Sequence, residues 1–181
     1  MDVRDARLTT GNPLSQALRS EDTGAMRVEL MRSEHAATAA RLQVDFNVEF
    51  GSPVPTVEVL ERRYARLMDD PAAFVLFSWG DAEEAGPTGY ALVTLRPTVY
   101  CDGPLAVLDE LYVVPHLRDR GIGTALLERA IAEVRVRGGG EMHINVDEVD
   151  VDTRRFYDRH GFYNIEPGTD YRMLCYIREL V

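Results

Sequence analysis

A turn rich in glycine and arginine leads directly into the most regular helical pattern of the chain. It occupies Val113–Thr124, with arginine at positions 118 and 120 and glycine at positions 121 and 123. Glycines let backbone N–H groups turn inward without a clash from a Cβ atom. A helix N-terminus adds unpaired N–H donors and the positive end of a dipole. The turn can therefore hold a phosphate group, although an isolated Gly-x-Gly is as often only a tight turn.

Two better-known phosphate-binding loops do not fit this turn. All 20 basic residues are arginine, so no lysine is present to complete a Gly-x-x-x-x-Gly-Lys loop. A dinucleotide-binding fingerprint requires a third glycine where this chain has Leu126, and it usually opens its domain. Any anion bound here must be held by arginine side chains or by the backbone.

Three side chains near this turn could move protons. Asp109 and Glu110 are adjacent carboxylates on the strand before it, and we expect them to point to opposite faces because side chains alternate along a strand. One could accept a proton, or both could be a solvent-facing acidic strand end. Tyr157 lies on a short helix, and its ordinary pKa near 10 would keep it protonated as a donor. A lone tyrosine on a helix is more often a core residue.

Composition and charge narrow the class of protein. The chain has 181 residues, 45% of them hydrophobic, enough for one globular domain with a buried core. No apolar run is long enough to span a membrane and no apolar signal segment is seen, so we expect a cytoplasmic protein without a membrane partner. The net charge of −10 argues against nucleic-acid binding and suits a cationic small molecule, although many soluble proteins are acidic simply for solubility.

Metal binding and disulfides are not predicted. The acidic run at residues 147–152 lacks the glycine and the glutamate of a calcium-binding loop, and we interpret Asp152 as the N-cap of the following helix. The histidines have no ligand spacing. Cys101 and Cys175 are too few and too far apart for a disulfide framework.

The elements that must position these residues follow from hydrophobic periodicity and turn signals. Helices are predicted over 34–50, 56–68, 120–136 and 152–160, the third of them ended by Gly138–Gly140. Strands are predicted over 26–30, 73–79, 90–95, 106–114, 141–146, 162–165 and 173–177. This order indicates a mixed α/β sheet with helices on both faces.

Two segments together resemble the GCN5-related N-acetyltransferase (GNAT) family. Arg118-x-x-Gly121-x-Gly123, preceded by the strand 109–115, resembles the acyl-CoA motif, and Phe156–Phe162 is similar to the second signature of the family. The resemblance covers about residues 72–178 well and the two N-terminal helices loosely. It implies one N-acetyltransferase domain over 25–181, after a flexible arm at 1–24. Its fold would be a single α/β domain with a mixed, mostly antiparallel sheet and a splayed central strand pair.

The resemblance also implies roles for individual residues. Backbone groups of the strand would pair with the pantetheine arm of acetyl-CoA, the amides of the turn would hold the pyrophosphate, and Tyr157 would be the general acid. Similarity to polyamine acetyltransferases makes Asp109 the better base than Glu110. Asp150 stands where the family has an asparagine that contacts pantetheine, so that contact is in doubt. The cofactor-binding residues so predicted are Leu111, Tyr112, Val113, Arg118, Asp119, Arg120, Gly121, Ile122, Gly123, Thr124 and Asp150.

These residues together predict an acetyl-CoA-dependent N-acetyltransferase without a metal. The acceptor would be a primary amine of a small cationic molecule, a polyamine or an aminoglycoside-like compound, attacking directly in a ternary complex. Two alternatives stay open: acetylation of a protein N-terminus, and a non-catalytic acyl-CoA-binding module. By resemblance the protein would be a homodimer.

Overall fold

A five-stranded sheet runs through the centre of the computed structural model, which describes residues 26–80 and 86–180. Neighbouring strands are consecutive in the chain, and every pair is antiparallel except the last, which is parallel. The predicted mixed, mostly antiparallel sheet is therefore confirmed. The strands are β1 (Arg27–Leu30), β2 (Ala73–Trp79), β3 (Pro87–Arg96), β4 (Leu105–Val113) and β5 (Glu141–His143).

Helices cover both faces of this sheet, as the sequence predicts. The helices are α1 (Ala36–Glu49), α2 (Val57–Asp69), α3 (Ile122–Val136) and α4 (Val151–Arg159). The first two bury their apolar residues with Phe77, Tyr90 and Tyr112 on one face. The third buries Leu126 and Leu127 on the other face, where Tyr157 of α4 joins the same core. Removing these side chains from water is the main force that holds the helices on the sheet.

Strands β4 and β5, the last two of the sheet, separate after a short paired stretch. Their pairing covers only Leu105–Val107 against Glu141–His143. Beyond Val107, β4 continues to Val113, and within the described residues no strand pairs with it on that side. The predicted splayed strand pair is confirmed, and it leaves a free backbone edge on β4, called the open edge below.

A β-bulge interrupts β4 at Asp109. In the ladder with β3, Leu92 lies opposite Glu110 and Val93 lies opposite Leu108, so Asp109 is an extra residue. The prediction that Asp109 and Glu110 point to opposite faces is wrong. Both contact groups on the α1 and α2 side, because a bulge breaks the alternation of side chains and re-aims them.

The C-terminal part departs from the predicted strands. Residues 162–165 and 173–177 form no strand; they contribute one bridge, between Ile165 and Arg172, and a hydrogen bond from the Met173 N–H to the Asn164 carbonyl (2.7 Å). The fifth strand stops at His143 instead of Val146. Residues with a high strand propensity form a strand only where a neighbouring strand edge pairs with their backbone. This segment has almost no such pairing.

Three further sequence predictions can be compared with the structure. The glycines after α3 end it as predicted, since Gly138 has φ +84° and the Gly139 N–H bonds to the Val134 carbonyl at 2.9 Å. The flexible arm proposed for 1–24 lies outside the described residues. None of the helices in the described part of the chain is both long and apolar enough to cross a membrane.

Candidate active site

The open edge of β4 turns the backbone groups of two residues away from the sheet. The Val114 N–H bonds to the Thr88 carbonyl of the neighbouring chain segment (3.0 Å). Because hydrogen-bonded and non-bonded pairs alternate in an antiparallel ladder, the backbone groups of Leu111 and Val113 face away from β3. Arg118 Nε donates to the Val113 carbonyl at 3.0 Å, which agrees with this direction. Tyr112 is predicted to share this role, but its backbone faces β3.

The turn after β4 presents a run of free amides. The Arg118 N–H bonds to the Pro115 carbonyl and the Ala125 N–H bonds to the Gly121 carbonyl. Within the described residues, no backbone carbonyl accepts from the amides of residues 119–124, which include Asp119, Arg120, Ile122 and Thr124. Successive N–H groups in such a turn, at the N-terminus of α3, make a concave site for an anion.

The two glycines of this turn differ in backbone conformation and in the space around them. Gly121 has φ +82°, a left-handed conformation that L side chains rarely adopt, and a Cβ there would meet no atom within 4 Å. The open space beside it fits the approach of a pyrophosphate. A Cβ on Gly123 would lie 3.6 Å from the Phe156 ring and 3.8 Å from Val113, which are ordinary contacts. The left-handed backbone thus favours glycine at position 121, whereas at position 123 the described neighbours would accept a Cβ.

Arg118 is paired with a carboxylate instead of facing the turn. Its two terminal nitrogens donate to Glu49 at the end of α1 (2.6 and 2.8 Å), and its guanidinium lies 5.8 Å from the centre of the Tyr112 ring. The positive charge that the sequence analysis assigned to phosphate binding is neutralised here by Glu49. Arg120 is exposed on the turn and keeps its charge available.

Thr124 connects the start of α3 to α4 through a histidine to which the sequence analysis assigned no function. His160 Nδ1 lies 2.7 Å from the Phe156 carbonyl and must donate to it, because a carbonyl only accepts. The other ring nitrogen, Nε2, lies 3.2 Å from the Thr124 hydroxyl, within hydrogen-bond distance. These bonds hold the turn at a constant distance from the helix that carries Tyr157.

Tyr157 is almost entirely buried, with its hydroxyl left accessible. The side chain is 5% exposed, and its hydroxyl has no hydrogen-bond partner within the described residues. Since none of the fully buried polar side-chain atoms in this part of the chain lacks a partner, the hydroxyl must reach solvent. Burial raises the pKa of Tyr157, and the carboxylates of Asp150 and Glu110 raise it further. The tyrosine is thus a protonated donor near two carboxylates.

The paired carboxylates of β4 have separate partners. The Thr94 hydroxyl donates to Asp109 Oδ2 at 2.7 Å, and Gln43 Nε2 donates to Glu110 Oε1 at 3.2 Å. Burial raises the pKa of both carboxyl groups, and the charge of Asp109 adds to the rise at Glu110. Of the two strand carboxylates, it is Glu110 whose charge also raises the pKa of Tyr157.

A buried polar network behind Glu110 was not found by sequence analysis. Gln43 on α1 is 9% exposed, and its side-chain oxygen accepts from the hydroxyls of Tyr64 (2.6 Å) and Tyr90 (2.9 Å). Its nitrogen donates to Asn47 (2.8 Å) as well as to Glu110. The available signal was the position of Gln43, three and four residues after the buried Ala40 and Ala39, where an apolar residue is expected.

Asp150 begins α4. Its Oδ1 accepts from the Thr153 N–H at 3.1 Å, which makes it the N-cap, whereas Asp152 pairs with Arg155 at 3.4 Å. The prediction of Asp152 as the cap is wrong, because the cap lies two residues earlier, at Asp150, and the helix begins at Val151. A pantetheine contact at Asp150 stays a prediction. No group of three or more potential metal ligands comes together within 26–80 and 86–180.

Two solved structures share the architecture of this chain. The "putative acetyltransferase" of Arthrobacter sp. FB24 is 42% identical and superposes with a TM-score of 0.78, over 85% of this chain and 96% of that one. The aminoglycoside N-acetyltransferase AAC(6')-Iy in complex with CoA is 17% identical, with a TM-score of 0.67 over 86% and 99% of the two chains. At that identity the second likeness shows the fold alone.

Sequence relatives agree with this architecture. The mycothiol acetyltransferase of Thermobispora bispora is 35% identical over 112 residues, which are 59% of this chain and 35% of that protein. The chain thus matches only about a third of the length of this curated relative. The model of the Acetyltransferase (GNAT) family matches residues 39–162, the segment that contains most of α1, the open edge, the turn and Tyr157. The chain belongs to the Acetyltransferase (GNAT) family.

Proposed function

We propose that this protein is an acetyl-CoA-dependent N-acetyltransferase that acts on a primary amine of a small cationic molecule. One observation carries the proposal: the open edge of β4 runs into a turn with free amides, and the charge of Glu110 on that strand contributes to the raised pKa of Tyr157. A backbone edge, an anion site and a proton acceptor and donor are the parts that acetyl transfer from a thioester requires.

The cofactor fits the residues of the open edge and the turn. The family uses acetyl-CoA, which supplies the acetyl group as a thioester. The backbone groups of Leu111 and the N–H of Val113, whose carbonyl accepts from Arg118, would pair with the pantetheine arm. The amides of residues 119–124 would hold the pyrophosphate. Exposed Arg120 would add the positive charge, because Arg118 is already paired with Glu49.

Two side chains would carry the protons. Glu110, directly or through a water, takes a proton from the amine, whose nitrogen then attacks the thioester carbonyl carbon. An N–H of the open edge stabilises the negative charge that develops on the carbonyl oxygen. Tyr157 gives its proton to the departing sulfur as the C–S bond breaks and the C–N bond remains. The extra proton on the attacking nitrogen returns to Tyr157, directly or through water, and the proton held by Glu110 returns to solvent. The products are the acetylated amine and the free thiol.

The charge of the site favours a cationic acceptor. Within the described residues Glu49, Glu148 and Asp152 are neutralised by arginines, whereas Asp109, Glu110 and Asp150 have no ion-pair partner. Unpaired carboxylates around a partly buried cleft attract cations and raise their local concentration. Added salt screens this attraction. We therefore propose a polyamine or an aminoglycoside-like compound over a neutral amine.

The test is release of CoA from acetyl-CoA across a panel of amines at low and high salt. The panel contains spermidine, an aminoglycoside, a neutral amine and a peptide with a free N-terminus. Cys101 and Cys175 are exposed and would react with a thiol reagent, so both are replaced by serine in every variant. We expect the cationic small amines to have the lowest KM at low salt. A preference for the neutral amine that salt does not change would refute the electrostatic reasoning.

The panel also separates the two alternatives. Preferred acetylation of the peptide would make the protein an N-terminal acetyltransferase. Calorimetric binding of acetyl-CoA without turnover of any amine would make it a binding module. The amine acceptor of mycothiol acetyltransferase is also added to the panel, because a sequence relative of this chain is a mycothiol acetyltransferase.

The identity of the base is tested by two neutral isosteres. Glu110→Gln should lower kcat/KM by about 10² to 10⁴-fold, the typical weight of general-base catalysis. Asp109→Asn is the matched control, because it removes the adjacent charge and leaves Glu110 in place; it should cost less. The reverse order would assign the base to Asp109, as the similarity to polyamine acetyltransferases implies.

The homodimer and the cytoplasmic location stay predictions. Sedimentation equilibrium over a range of concentrations would measure the assembly, and fractionation of cells that express the natural gene would measure the location.

A further inference from the structure

Gln43 uses every hydrogen-bonding position of its side-chain amide in the buried network. Its oxygen accepts from Tyr64 and Tyr90, and its nitrogen donates to Asn47 and Glu110. An amide has two acceptor positions and two donor hydrogens, so nothing is left unpaired. A network satisfied in this way is rigid, since any rotation of the amide would break several buried bonds at once.

The two tyrosines determine which end of the amide faces Glu110. Burial raises the pKa of Tyr64 and of Tyr90, so both hydroxyls stay protonated and can donate. Their shared acceptor must be the amide oxygen, and the NH₂ group is therefore turned toward the Glu110 carboxylate. A donor held in this direction favours the ionised form of the carboxylate, which is the form able to accept a proton.

We propose that Gln43 is a positioning residue for Glu110: its amide, oriented by Tyr64 and Tyr90, holds the carboxylate in place and stabilises its ionised form. The inference rests on the proposed use of Glu110 as the base. It adds a second layer, carried by α1, α2 and β3, that no residue of the acyl-CoA motif supplies.

The pKa of Glu110 depends on burial and on neighbouring charges as well as on Gln43. Burial of the carboxyl group is the largest cause of its raised pKa, the hydrogen bond from Gln43 lowers it, and the adjacent Asp109 raises it. The titratable groups that face Glu110 are Asp109 on β4, Tyr64 on α2, Tyr90 on β3 and Tyr157 on α4. Since the tyrosines are neutral, Gln43 is the main group that opposes burial.

The test is Gln43→Met, which keeps much of the side-chain shape and removes both polar atoms. A hydrogen bond to a charged group contributes about 1.5 kcal/mol at the lower end, which corresponds to about one pKa unit. We expect the acidic limb of the kcat/KM profile to move upward by about one pH unit, with KM for acetyl-CoA unchanged. Titration of the amine substrate is common to all variants and cancels in the comparison.

Ser78→Ala is the matched control. Ser78 also forms a buried side-chain hydrogen bond, to Thr88 at 2.9 Å, but it contacts neither Gln43 nor Glu110. Ser78→Ala should lower the stability of the protein, because a buried hydrogen bond is lost, and should leave the acidic limb of the kcat/KM profile unchanged. A limb that moves equally in both variants would show a general effect of destabilisation and overturn the inference.

A second variant and a direct measurement keep the inference testable if Gln43→Met does not fold. Tyr64→Phe removes one of the donors that orient the amide and should move the limb in the same direction by less. Carboxyl NMR titration of Glu110 should show the same shifts without any assay of activity. Unchanged titration in folded variants overturns the role of Gln43, whereas full activity of Glu110→Gln overturns the proposed base itself, so the two failures are distinct.

Discussion

Replacing Tyr157 by phenylalanine separates a catalytic hydroxyl from a structural one. The ring packs edge-on against Phe156 (centroids 5.1 Å apart) and Phe162 (5.4 Å), and phenylalanine keeps both contacts. The hydroxyl has no hydrogen bond to lose within the described residues. We therefore expect the free energy of unfolding to change by no more than about 0.5 kcal/mol.

Tyr64→Phe is the matched comparison for stability. It removes a hydroxyl that donates to Gln43 at 2.6 Å, and it leaves a buried acceptor with one partner fewer. Such a loss costs about 1 to 2 kcal/mol, or a decrease in Tm of roughly 2 to 4 °C per kcal/mol for a domain of this size. Tyr64→Phe should thus be the less stable of the two variants, and Tyr157→Phe the one with the lower turnover.

Turnover should fall about 10²-fold in Tyr157→Phe, which is roughly 2.7 kcal/mol of lost transition-state stabilisation. Affinity for acetyl-CoA should hardly change, because the backbone edge and the turn are untouched. Since the pKa of Tyr157 is raised above its ordinary value of 10.0, the wild-type protein should show no loss of activity from this group as pH rises toward 10. Loss occurs only above that range, where the proton is removed.

The assay is single-turnover CoA release with the cysteine-free protein, combined with thermal unfolding and calorimetric binding of acetyl-CoA. Single turnover is needed because slow product release would hide a change in the chemical step. Unchanged single-turnover rates in a folded Tyr157→Phe protein would return this residue to the hydrophobic core and refute its assignment as the acid. A large fall in Tm would equally contradict the claim that its hydroxyl is unpaired.

Three further predictions concern the turn, the helix cap and the stability of the site. Gly121→Ala should weaken acetyl-CoA binding at least tenfold, because its left-handed backbone would shift and misplace the free amides. Gly86→Ala carries the same left-handed strain away from the site (φ +73°) and should leave calorimetric affinity unchanged. Asp150→Ala should destabilise the fold by about 1 kcal/mol in chemical denaturation, since it removes the acceptor of the Thr153 N–H; an unaltered midpoint would exclude a capping role. Glu110→Gln should raise Tm at pH 7, because a carboxyl whose pKa is raised by folding costs stability once ionised. The gain should shrink as pH falls and both states become protonated, and a gain independent of pH would contradict this account.

The parts of the site that depend on neighbouring residues were predictable from sequence. Gly121 and the start of α3 follow from local backbone geometry, because a left-handed residue and unpaired helix amides need only a few consecutive residues. The strand before the turn and the helix that carries Tyr157 follow from periodicity in the same way. One local prediction failed, Asp152 as the cap, because a helix boundary can move by a residue or two.

The bulge at Asp109 shows where local patterns stop being informative. Alternation along a continuous strand would separate Asp109 from Glu110, and only the ladder with β3 reveals the extra residue. The same limit applies to residues 162–165 and 173–177, which are predicted to be strands but whose backbone has no continuous edge to pair with. A pairing register is a property of two segments, so one segment cannot specify it.

By itself the sequence determined the family, the order of the main elements, the glycine-containing turn before α3 and the set of candidate acids and bases, because each of these depends on residues close together in the chain. Tertiary structure alone decided how those groups are held. Gln43 reaches Glu110 across 67 residues, and Glu49 reaches Arg118 across 69. These contacts bring a positioning amide to the proposed base and remove a positive charge from the turn. Both depend on α1 packing against the end of β4, where burial makes hydrogen-bond partners obligatory and no spacing in the chain encodes which partner is met.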